Sequence, residues 1–238
     1  PTVLYHQLHH EKPIYGGHES RVSHEILKET QTYFLNMFHI LGSKDDVIKQ
    51  DLTAHGLSLF EHFDIKYVTL HKEHTLAGNV FPNQVFFPET KQIMSEILRV
   101  DNPAYEDDNI IVYKIPKPNS SEPFLLLGSG WHVFEPEYNA RATMTKPEIL
   151  VVNPTNTEID VTLNLVLSSV AGNKQTMTVS INGEKLDVIY VPTVATDIHL
   201  ENLTLKPGIN AITLDADKFI LVEEKSVSFK VESISIIN

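Results

Sequence analysis

Apolar residues recur along this chain with two different periods, and the change from one to the other divides it. From Ser23 to Leu41 they fall at Ile26, Tyr33, Phe34, Met37, Phe38 and Leu41, opposite a polar face of Glu25, Lys28, Glu29 and Gln31. That spacing predicts an amphipathic helix, with Ser23 as its N-cap and Gly42 as its stop. A second helical stretch is expected from about Lys44 to Phe63, broken or frayed around Gly56. Lys66 to Leu70 reads as a buried strand. Pro88 to Arg99 reads as a helix with Pro in its first turn and Ile93, Ile97 and Leu98 inward. Asn109 to Ile115 reads as another strand. Helix, strand, helix, strand in this order predicts a small α/β domain over residues 1–117.

Pro116 to Pro123 holds three Pro and two Ser and has nothing with which to build a core, so residues 118–123 are expected to be a linker. Beyond them the period becomes two. Val161, Leu163, Leu165 and Leu167 alternate with polar residues, as do Met177, Val179 and Ile181, and then Val227, Phe229 and Val231. Asn182-Gly183 is a hairpin turn signal, because both residues tolerate positive φ, and Pro207-Gly208 marks another turn. Residues 124–238 are therefore expected to form an all-β sandwich, jelly-roll-like and similar in shape to a carbohydrate-binding module. The sandwich is expected to fold by itself. The fold class expected for the whole chain is α+β.

Composition narrows the function. A formal net charge of −12, with Lys and Arg scattered, lacks the basic footprint of a nucleic-acid binder and would be repelled by an anionic membrane. Cys is absent, which removes disulfides, thiolate nucleophiles and Cys-based zinc sites. No apolar run approaches the roughly 18 residues of a membrane span. The chain opens on Pro1 with no signal peptide in view, and is expected to be a processed product or an excised piece.

Several motifs are shared with a known family. Tyr5, Gln7, His10, Lys12, Pro13, Gly16, Gly17, Ser20 and Arg21 resemble a segment that follows the last membrane spans of polytopic glycosyltransferases. Those enzymes are related to the dolichyl-phosphate-mannose-dependent mannosyltransferases. Leu70-His71-Lys72, Tyr105 to Asn109 leading into Val112-Tyr113, Gly130-Trp131, Glu135, Arg141, Asn182-Gly183 and Leu205 to Asn210 are similar to the rest of that soluble region. The resemblance implies an extracytoplasmic portion of a membrane enzyme, at the cell envelope. Its membrane-embedded part and a glycan or glycolipid acceptor would be its partners. The family's catalytic acidic loops are absent, so the resemblance implies no catalytic residue and no cofactor here.

Candidate sites remain to be weighed. His6, His9, His10 and His18, with His24, Glu11 and Glu19 nearby, are the one dense set of possible metal ligands. They lack the His-Glu-x-x-His spacing that puts two ligands on one helix face, and turn packing with solvated imidazoles is the better reading. A metal-dependent hydrolase built on them stays open as an alternative. Gly16-Gly17 lacks the context of a phosphate loop and reads as a tight turn. Glu106, Asp107 and Asp108 read as a solvated acidic turn, and Ser129 lacks the strand-turn-helix setting of a nucleophile elbow. Trp131, Phe134 and Tyr138 could stack on pyranose rings, with Glu135, Glu137, Asn139 and Arg141 bonding the hydroxyls. Alternatively, Trp131 plugs the core. A surface interaction module with no sugar role is the remaining alternative.

Overall fold

The computed structural model describes residues 46–76, 79–82, 87–99, 103–118, 122–172, 175–222 and 224–237. The helix expected over Ser23–Leu41, the Gly16-Gly17 turn and the candidate ligands His6, His9, His10 and His18 lie outside the described residues.

The described residues are mostly antiparallel β-sheet. Among them two helices, α1 (Leu52–His62) and α2 (Phe87–Leu98), precede most of the strands. Strands β1 (Tyr67–His71), β4 (Tyr105–Glu106) and β5 (Ile110–Lys114) form a three-stranded sheet in the order β1-β5-β4. β2 (Glu73–Leu76) and β3 (Asn79–Pro82) pair as a hairpin that the sequence pattern did not predict. α2 buries Ile93, Ile97 and Leu98 as expected. The strand expected at Lys66–Leu70 is β1, but only one side of it is covered: Leu70 is buried and Tyr67 exposed.

From Phe124 onward two five-stranded sheets share one core. The first has the order β13 (Thr196–Leu205), β10 (Ile159–Ser169), β17 (Phe229–Ile237), β8 (Ala140–Thr143), β7 (Trp131–Glu135). The second has the order β12 (Glu184–Val191), β11 (Gln175–Ile181), β14 (Gly208–Ala216), β9 (Glu148–Asn153), β6 (Phe124–Leu127). Alternation places Leu163, Leu165 and Leu167 in the core and leaves Thr162 and Asn164 outside it. Two-residue periodicity dictates this arrangement, since successive side chains leave opposite faces of a strand. The β11–β12 turn is Asn182-Gly183 with φ of 51° and 85°, as that dipeptide predicts. A small hairpin of β15 (Ile220–Val222) and β16 (Lys225–Val227) joins β14 to β17 across one end.

Two expectations about the N-terminal half fail, each for a physical reason. α1 runs unbroken through Gly56, where it meets α2: a Cβ there would lie 2.6 Å from Ile97 Cγ1. The glycine permits close helix packing rather than ending the helix. Residues 46–50 are not helical but form an extended strap on the sandwich. Asp51 ends the strap by N-capping α1, accepting from the Thr53 amide. The Thr53 hydroxyl, as the strongest influence, also holds its carboxyl below the usual range.

The strap crosses between the two sheets. It pairs in parallel with β17 at Ile48 and Ile234, with Ile234 N–H donating to the Val47 carbonyl and Lys49 N–H to the Ile234 carbonyl. The Gln50 amide caps edge strand β6 in both directions, accepting from the Leu125 N–H (2.9 Å) and donating to the Leu125 carbonyl (3.2 Å). Val47 and Ile48 are fully buried, worth about 1.5–3 kcal/mol each. Asp46 takes both oxygens to the buried Arg141 of β8, one of them at 2.7 Å from Nε. The sandwich core thus draws on residues well before Phe124.

Candidate functional site: the turn between β7 and β8

β7 and β8 form an edge hairpin of the first sheet, closed by a 3-10 turn over Pro136–Tyr138 and by Asn139 at φ 45°. Asn is one of the few non-glycine residues that accept such a φ, which fixes the turn locally. The seven candidate ligand residues lie on this hairpin, and the structure separates them.

Trp131 begins β7 opposite Thr143. Its indole is half-buried against the core, and Nε1–H donates to the Glu148 carbonyl at 2.7 Å. Its one polar atom is committed to structure and the ring packs in part on the core, as a partly enclosed Trp requires. Phe134 also packs on the core. Arg141 is 3% exposed. Its donors go to Asp46 and to the His132 carbonyl (2.8 Å), so the guanidinium contacts no solvent-side ligand. Arg141 is therefore a structural cation rather than a hydroxyl-binding one.

The outer end of the hairpin differs. Tyr138 is 60% exposed, and Glu137 and Asn139 on either side of it are exposed too. Lys230 of β17 places its ammonium 5.8 Å from the Tyr138 ring centroid and pairs with Glu232 at 3.2 Å. Tyr138 and Trp131 do not form one two-ring platform. Trp131 begins β7 and Tyr138 lies in the turn beyond its other end, with about 13 Å of strand between them at roughly 3.3–3.4 Å per residue. What remains is one exposed ring with carboxylate, amide and ammonium neighbours. Lys230 could not be placed here from the sequence, because it lies on a strand 92 residues away that reaches β8 only through the Lys230–Ala142 register.

The other candidates are accounted for locally. Asp107 accepts from the Asn109 and Ile110 amides and from the Tyr105 hydroxyl, and these donors, Ile110 foremost, hold its carboxyl below the usual range. Glu106 pairs with Lys72 at 2.9 Å, which lowers its carboxyl likewise. The acidic triplet is thus a capped turn. Ser129 Oγ donates to Glu148 (2.9 Å) in the β6–β7 loop, with no helix following. Among the described residues, no three His, Asp or Glu side chains gather as a metal site, and no helix is long and apolar enough to cross a membrane.

No family model matches the chain, and neither does any curated protein sequence. Solved structures show a slight likeness over about half of it. One is a family 35 carbohydrate-binding module from an environmental isolate, at 18% identity, covering 47% of this chain and 74% of that one with a TM-score of 0.31. A second such module, in complex with a glucuronic-acid-containing disaccharide, has 16% identity, covers 47% and 75%, and scores 0.31. A Podospora anserina β-(1,4)-mannanase carrying such a module has 14% identity, covers 50% and 28%, and scores 0.32. Likenesses this slight say nothing about what the present chain binds.

Proposed function

We propose that this chain is a non-catalytic, extracytoplasmic portion of a membrane glycosyltransferase-like protein, and that its sandwich recognises a glycan or acceptor at the turn between β7 and β8. The observation that carries the recognition half is Tyr138. It is an exposed ring on a short turn of a rigid sheet, flanked by Glu137 and Asn139 and approached by Lys230. A flat aromatic face complements the C–H face of a pyranose, and the polar neighbours supply directional bonds. A single stacked ring must offset ordering and desolvation, so the affinity is roughly 0.1–1 mM.

The membrane half of the proposal is supported by the sequence motifs from Tyr5 to Arg21 and by the ordered motifs that follow them. In this reading the part of the chain that precedes the sandwich stands next to the membrane-embedded part of the same polypeptide, at the outer face of the cell envelope. The jelly-roll-like sandwich presents Tyr138, and no residue of the chain is catalytic. Titrating the full chain with envelope polysaccharides, followed by NMR, tests it. Saturable shifts centred on Glu137–Asn139 are expected, and a flat response across a broad panel overturns the recognition half.

One observation favours a second reading, an interaction module without a sugar role. Phe219, Ile220, Leu221 and Val222 run consecutively along the crossing hairpin and are all exposed, Leu221 to 69%. Exposed apolar runs of this kind mark contact surfaces. If Leu221→Ser abolishes a partner interaction while Tyr138→Ala leaves it intact, this second reading replaces the first.

A further inference from the structure

Helix α1 meets the sandwich through two histidines. His55 and His62 are seven residues apart, about two helical turns, and so share one face. His62 makes an edge contact with Phe124 at the start of β6, at 5.8 Å between centroids and 78° between planes, and another with Phe63 at 5.2 Å and 86°. His55 Nε2 lies 3.8 Å from the Glu122 carboxylate, just before β6. Its Nδ1 is buried with no hydrogen-bond partner in the protein. The imidazole also lines a cleft of about 150 Å³ with Lys49, Gln50, Asp51, Leu125 and Ile236.

Both rings suit the neutral form. Protonating His62 puts a charge on a half-buried ring, which burial disfavours. Protonating His55 puts an N–H on a buried nitrogen that has no acceptor, at the cost of an unmade bond. The charged groups around this face are few. Glu122 and Asp51 favour a proton on His55, and Lys49 lines the same cleft. Glu61 lies on the helix itself, and Asp64 and Lys66 pair with each other just beyond it. Arg99, just past the end of α2, donates to the Thr53 carbonyl at 2.9 Å. Burial is the largest influence on both histidines and pushes both below the ordinary value of 6.5.

We propose that this face of α1 is an acid-operated joint: as pH falls, His55 and His62 take up protons and α1 lifts from β6 while the sandwich stays folded. With folded values below the unfolded one, the open state binds more protons and docking strengthens as pH rises. The contribution is present in full above about 6.5 and is lost as pH falls through the histidine range. The strap does not share this response through Gln50 or its backbone bonds, which carry no titrating group.

The test is amide hydrogen exchange on the full chain at about pH 7.5 and about pH 5, expressed as protection factors to remove the intrinsic pH dependence. Protection of the α1 amides should fall at least about threefold at the lower pH while β10 and β17 hold theirs. Replacing both rings, by His55→Gln and His62→Phe, should abolish the difference. If the double variant folds poorly, His62→Phe alone must shrink it. Equal α1 protection at both pH values, a parallel loss in β10 and β17, or an undiminished response in the variants would each overturn the proposal.

Discussion

The interior of the sandwich and the joint that ties residues 46–62 to it are held by different chemistry. The interior is closed by aliphatic side chains, among them Leu163, Leu165, Leu167, Val179 and Leu214, all at 0% exposure. The joint adds polar and ionisable groups in one-to-one contacts: Asp46 with Arg141, Gln50 with Leu125, His55 with Glu122. An apolar core is forgiving, because any group of about the right volume can fill it. A polar contact fails as a unit when one partner goes, since the other keeps its desolvation cost. The joint is thus where single substitutions do the most damage for the least lost area.

The largest effect is expected at Asp46. Asp46→Ala leaves the Arg141 guanidinium buried and unpaired, which costs about 3–5 kcal/mol in chemical denaturation. Residues 124–238 expressed alone lack Asp46, Val47 and Ile48, and should lose at least as much relative to a chain starting at residue 46. Equal stability of the two would mean that the strap adds nothing to the sandwich. Replacing both charges together, as Asp46→Leu with Arg141→Met, sharpens it. The double change should recover most of the single loss, because the damage comes from the widowed charge rather than from the missing pair.

Leu165→Ala in the sandwich should cost about 2–5 kcal/mol, a cavity effect with no partner to rescue it. Gly56→Ala should cost about 1–3 kcal/mol, since its Cβ would press on Ile97, partly offset by about 1 kcal/mol of helix propensity. A stabilised Gly56→Ala variant would mean that the two helices can separate freely. Tyr138→Ala should be the mildest, within about 0.5 kcal/mol, because the ring is exposed and supports no core residue.

The same division decides what could be read from sequence. Sandwich strands announce themselves: Val161 to Leu167 alternates in the sequence and alternates in burial. Asn182-Gly183 and Gly208 announce turns through a backbone need that few other residues meet. The strap does not announce itself. Asp46-Val47-Ile48 continues a helical-looking pattern, and its partner Arg141 is 95 residues away. Gly56 reads as a helix breaker because the signal for close packing, Ile97, lies on another element. The candidate site was legible as a cluster of aromatic and polar residues in one stretch. Which of them face outward was not legible, because that depends on the Trp131 bond to Glu148 and the Arg141 pair with Asp46.

Glycan recognition through Tyr138, as proposed, is tested most directly by NMR titration of wild type and Tyr138→Ala with the same envelope oligosaccharides. Saturable shifts at Glu137, Tyr138, Asn139 and Lys230 are expected in the wild type, with a dissociation constant of roughly 0.1–1 mM, and their loss in the variant while the fold is kept. Saturable binding that Tyr138→Ala leaves unchanged, or no binding by the wild type, would contradict it.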